Sequence, residues 1–191
     1  MVMHIDTLDD VAVAPSADAD TGEDTLLLWI LVWSELTAFG ILLVAFLIMS
    51  GLYPADFADA RQYLSPGLAA ANTVVLLTSG WQAAIAARRR MQPQQARAPL
   101  CIAAGFGFLF AAIKIFEYAG EISHTVDTQL HYFFELYFLV TGFHLLHVIF
   151  GGIVLLLVAW RPSRGNILLI TTLWHAIDLV WLVMFPIIYL V

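Results

Sequence analysis

Polar surface is what this chain lacks. Only 12% of its 191 residues are charged against 61% hydrophobic, and the mean hydropathy of +0.86 leaves too little polarity to coat a soluble globule of that size. A single cysteine, Cys101, excludes an intrachain disulfide and a cysteine-rich metal site. The first 25 residues contain no Lys or Arg and therefore lack the basic n-region of a secretory signal. The period-two alternation of a barrel strand is also missing, which argues against closed β-structure.

What remains is apolar sequence in long runs. Five segments, about 26–50, 66–87, 98–118, 132–160 and 167–190, reach the ~20 residues that span a hydrocarbon core as helix. They predict an all-α, polytopic membrane helix bundle of five transmembrane helices over residues 26–191. Residues 1–25 carry seven acids (Asp6, Asp9, Asp10, Asp18, Asp20, Glu23 and Asp24) and are expected to form a disordered, solvated cytoplasmic tail. Arg88, Arg89, Arg90 and Arg97 fall between spans two and three, and Arg161 and Arg164 between spans four and five. The positive-inside rule then places the N-terminus inside and the C-terminus outside.

Against this background five ionisable residues stand out at mid-span: Glu35, His144, His147, His175 and Asp178. Such groups cost several kcal/mol at that depth unless partnered. At ~1.5 Å per residue, Glu35 lies ~14 Å in from the start of its span and Asp178 ~17 Å in. His144 with His147, and His175 with Asp178, are each three residues apart and share a helix face. All five are expected in one polar layer, satisfying each other across helices. A second layer lies at the outer edge, where Lys114, Glu117 and Tyr118 are followed by Glu121, His124, His131, Tyr132 and Glu135. Lys114 can pair with Glu117 and snorkel outward, as an interfacial ion pair or as a contact for lipid or a partner subunit. Trp174, Asp178, Trp181 and Phe185 form a stripe that suits either helix packing or an edge facing lipid or a partner. The small residues Ala103, Gly107 and Ala111, with Gly151 and Gly152, predict close helix approach.

The histidines admit three functions. Bis-histidine haem ligation would use His144 or His147 with His175, but a spacing of three does not stack two haems. A proton-coupled carrier would use them as a relay, although the chain lacks the internal repeat common among secondary transporters. The structural reading, with each His hydrogen-bonded to a carboxylate or carbonyl, outweighs both.

The wording of the spans then carries a resemblance. Thr141-Gly142-Phe143-His144-Leu145-Leu146-His147-Val148-Ile149-Phe150-Gly151, within Tyr132 to Trp160, resembles the signature of subunit III of the haem-copper oxidases, as does Leu173-Trp174-His175-Ala176-Ile177-Asp178-Leu179-Val180-Trp181. Ser34-Glu35, Asn72-Thr73 with Leu76-Leu77-Thr78-Ser79-Gly80, and Phe116-Glu117-Tyr118 continue it in the family's order. Many members have seven spans, so this chain resembles the short branch without the first two, and its second and last spans point to the nitric-oxide-reductase-associated type. The resemblance implies an accessory subunit of a bacterial inner-membrane respiratory complex. Such a subunit has no catalytic or metal-ligating residues and no cofactor of its own. It packs on a catalytic haem-containing subunit, binds phospholipid and helps sustain turnover and proton uptake. The family's midplane glutamate corresponds to Glu35, and its matching histidines are structural. Lys114, Glu117, Tyr118, Trp174 and Trp181 are the candidate lipid or partner contacts. No nucleic-acid partner is expected.

Overall fold

A computed structural model of the chain describes residues 17–121 and 131–190, all of them in helices or the short links between helices. The helices are α1 (Ala17–Leu52), α2 (Pro54–Arg61), α3 (Pro66–Arg88), α4 (Pro93–Glu121), α5 (His131–Trp160) and α6 (Arg164–Tyr189). Five contain stretches long and apolar enough to cross a membrane: Leu28–Leu52, Pro66–Arg88, Pro93–Glu121, Tyr132–Trp160 and Arg164–Tyr189. These match the five predicted spans. Helix α1 begins nine residues before Leu26, inside the segment expected to be a disordered tail. Residues 1–16 and His124 lie outside the described residues.

Local chemistry sets the helix starts. Pro54, Pro66 and Pro93 open α2, α3 and α4, where a missing N–H costs nothing because it would have no intrahelical acceptor. At α6 the Ser163 Oγ accepts from the Asn166 N–H at 3.2 Å and caps the helix. Two guanidiniums close helix ends from a distance. Arg97 donates to the Ala159 carbonyl at 3.0 Å and the Trp160 carbonyl at 2.5 Å, and Arg61 donates to the Ile188 carbonyl at 3.3 Å. Both sites are C-terminal carbonyls without intrahelical donors, where a cation also suits the helix dipole.

The short α2 was not legible as a helix in the sequence. Its packing explains it: Phe57 is fully buried, edge-on to Phe46 at 5.3 Å and to Phe133 at 5.2 Å.

Helix α3 packs on α4 and α6, α5 packs on the same two helices, and α1 lies against α5 and α6. Between membrane helices apolar contact with lipid and with protein is nearly equivalent, so close packing and polar contacts must hold them together. Trp174 of α6 shows how. Its indole lies against bare glycine backbone of two helices: a Cβ on Gly107 would come within 2.7 Å of the ring and a Cβ on Gly151 within 2.9 Å. The indole N–H donates to Ser79 Oγ of α3 at 3.1 Å, and that hydroxyl donates to the Ala103 carbonyl of α4 at 2.6 Å. One side chain thus joins four helices.

Candidate functional site: two polar clusters in the bundle

The outer cluster is built around Lys114, which is fully buried. Its ammonium lies 3.0 Å from Glu117 Oε2, donates to Tyr137 OH at 2.8 Å and also donates to Tyr189 OH. Tyr189 donates in turn to Glu117 Oε1 at 2.9 Å, and Tyr137 donates to Glu121 Oε1 at 3.0 Å. The rings of Tyr118, Tyr137, Tyr189 and Trp181 lie 4.9–5.6 Å from the ammonium. Tyr118 donates to Thr141 Oγ1 at 2.6 Å, and Thr141 donates in turn to the Tyr137 carbonyl. The expected Lys114 to Glu117 pair is therefore present, but it does not snorkel. Two phenol hydroxyls replace water around it, so the ammonium turns inward, and Glu117 is buried with it. Tyr137 and Tyr189 are members that the sequence reading missed, since nothing in a lone Tyr near a span end says that it faces inward.

The mid-span groups are less united than the sequence led one to expect. Glu35 and His147 meet, with Oε2 3.0 Å from Nε2. His147 Nδ1 lies 2.7 Å from the Phe143 carbonyl, so Nδ1 carries a proton and donates it there. The contact to Glu35 is then a hydrogen bond only when a further proton sits between the two side chains, on the carboxyl or on Nε2. The pair is a one-proton device joining α1 to α5.

His144, Asp178 and His175 do not join it. His144 is fully buried with no hydrogen-bond partner at either ring nitrogen, stacked on Trp181 at 5.3 Å and flanked by Phe110 and Phe39. His175 lies on an exposed face, with Nδ1 2.5 Å from the Thr171 carbonyl of its own helix. Asp178 is buried against Gly80 of α3, and its Oδ1 has no partner. Hence the expectation of one mutually satisfied layer is corrected. Two of the five groups pair across helices, His175 is satisfied by its own backbone, and two are left open.

Trp174 and Trp181, candidates for lipid or partner contact, are instead buried inside the bundle. Trp181 Nε1 donates to Thr73 Oγ1 at 2.9 Å, so both indoles spend their N–H on hydroxyls of α3. The packing alternative for that stripe is the one realised. Tyr118 is half-buried. Among the described residues no three His, Cys, Asp or Glu side chains converge as metal ligands.

Fold and clusters together define a multi-pass membrane protein made of helices locked by internal polar contacts. The cytochrome c oxidase subunit III family pattern matches residues 27–191, all five spans, and the chain belongs to that family. It is 30% identical over 163 residues to cytochrome c oxidase subunit 3 of Synechocystis sp., covering 78% of this chain and 67% of the relative. It is 25% identical over 171 residues to the subunit 3 of Thermostichus vulcanus, 82% of each chain. Quinol enzymes are related as well: subunit 3 of the cytochrome bo(3) ubiquinol oxidase of Pseudomonas putida is 24% identical over 182 residues, 90% of this chain and 87% of the relative.

Proposed function

We propose that the chain is the third subunit of a haem-copper oxidase of a bacterial inner membrane, where it supports assembly, sustained turnover and proton uptake of a catalytic haem-containing subunit. The observation that carries this is the family match from residue 27 to residue 191, over the whole bundle and its two polar clusters. The relatives are named for cytochrome c and quinol oxidases, which favours an oxygen-reducing partner over a nitric oxide reductase. The redox centres belong to that partner. Bound phospholipid suits the long apolar faces of α1 and α5, where Trp33, Ile41, Leu146 and Phe150 are exposed. The arginine distribution supports an inside N-terminus and an outside C-terminus.

Gently solubilised membranes should yield this chain with a haem-bearing subunit. Deleting it should lower sustained oxidase activity while leaving the haem spectrum in place. A Soret band or proton flux in liposomes from the purified chain alone would overturn the reading in favour of a haem protein or a carrier. Reporter fusions after Arg90 and Arg164 should read cytoplasmic and a fusion after Leu190 periplasmic.

A further inference from the structure

Between α3 and α6 lies a cavity of about 350 Å³ lined by Leu77, Gly80, Trp81, His175, Asp178 and Leu179, among others. The absence of a side chain at Gly80 makes the room: a Cβ there would collide with Asp178 Oδ2. The carboxyl group is thereby held at the cavity wall, with Oδ1 buried and unpartnered. Around it the wall is open to the bundle's exterior, with Trp81, Leu77 and Leu179 at 71%, 47% and 52% exposure and His175 beside them.

Depth decides what can cover this face. Asp178 is fourteen residues beyond Arg164 on a helix of 26, hence ~21 Å from its start, close to the centre of a ~30 Å hydrocarbon core. Gly80, facing it, is fourteen residues into α3, a similar depth from the other end. Lipid head groups sit ~15 Å away at the core's edges, and acyl chains offer no hydrogen bond. A carboxyl at mid-membrane with an unsatisfied oxygen costs several kcal/mol. A helix of another subunit can bring a polar side chain to that level.

We propose that the α3/α6 face at Gly80 and Asp178 is the docking surface for a transmembrane helix of the catalytic subunit, and that this helix carries a side-chain hydrogen-bond donor that enters the cavity and bonds the Asp178 carboxyl. Trp81 and Leu179 form the apolar rim of the contact. His175, held by its own backbone through Nδ1, turns its second ring nitrogen into a further polar contact for the same helix. This inference rests on the subunit reading above and goes beyond it in naming the face and the group.

The test uses the intact complex in its own membranes. A photo-crosslinking amino acid is placed singly at Trp81 and Leu179, and, as controls on other exposed faces, at Ile41 and Leu146. Adducts with the haem-bearing subunit are expected from positions 81 and 179, and lipid adducts alone from 41 and 146. In parallel, Asp178→Leu should lower the ratio of this chain to haem after a detergent wash by roughly tenfold, as expected for one lost hydrogen bond to a buried carboxyl, while Asp178→Asn should hold the chain better. Protein adducts from 41 and 146 alone, or lipid adducts alone from 81 and 179 in a complex that still co-purifies, would overturn the docking face. Wild-type retention of Asp178→Leu would overturn the role of the carboxyl. Failure of the unmodified chain to co-purify with any haem subunit would instead remove the subunit reading itself.

Discussion

Around Lys114 the two phenols each pass a hydrogen bond onward, Tyr189 to Glu117 and Tyr137 to Glu121, and of the two carboxyls only Glu121 Oε2 is left over, whereas Asp178 Oδ1 and both nitrogens of His144 have no partner at all. Both regions are buried, and both contain titratable groups in membrane-spanning segments. The difference teaches what each is for. A connected network rigidifies the chain that contains it, while Asp178 Oδ1 takes no hydrogen bond from within this chain.

Breaking the Lys114 network should do the most damage. Lys114→Met strands Glu117 and Glu121 without their cation and should cost about 3–5 kcal/mol, read by unfolding in detergent micelles. Adding Glu117→Gln to it should recover part of the loss, because fewer buried charges are then left unpaired. Next comes the Trp174 wedge, farther along the helices than either region. Gly151→Ala pushes a methyl to 2.9 Å from Trp174 and should cost about 1–3 kcal/mol, against almost nothing for Gly105→Ala, which meets no atom within 4 Å. A smaller change is expected at the one-proton pair. Glu35→Gln retains a donor for His147 Nε2 and should lower stability by about 1 kcal/mol. A lipophilic carbodiimide should label Glu35, whose side chain is 26% exposed, and spare Glu117 at 3%. Least of all should follow from Asp178→Asn in the isolated chain, within about 0.5 kcal/mol, since no internal bond to Oδ1 is lost. A large loss there would show that the open region is internally satisfied after all, and would erase the contrast.

Hydropathy and length made the five spans legible, because a bilayer demands ~20 apolar residues of any helix that crosses it. It could not reveal α2, whose eight residues have no apolar run and owe their place to Phe57 meeting Phe46 and Phe133. Depth along a helix was readable too, so Glu35 and His147 fell at one level and do meet. Rotation about the helix axis was not. Three-residue spacing says that His144 and His147 share a face, but not that His147 reaches α1 while His144 is closed in by rings of three helices. The same gap hid Tyr137 and Tyr189, which became part of the Lys114 network only when α5 and α6 were packed against α4.

Arg97 is read twice in the life of this protein. By the positive-inside rule it is one positive charge among several expected to hold the start of α4 on one side of the membrane, and any cation would serve. Once the helices have packed, its planar fork closes the carbonyl ends of α5 at Ala159 and Trp160, which a single ammonium cannot reproduce. Arg97→Lys would therefore leave the orientation intact and unseat only the helix end, separating in one substitution the instruction that threads the chain from the contact that keeps it folded.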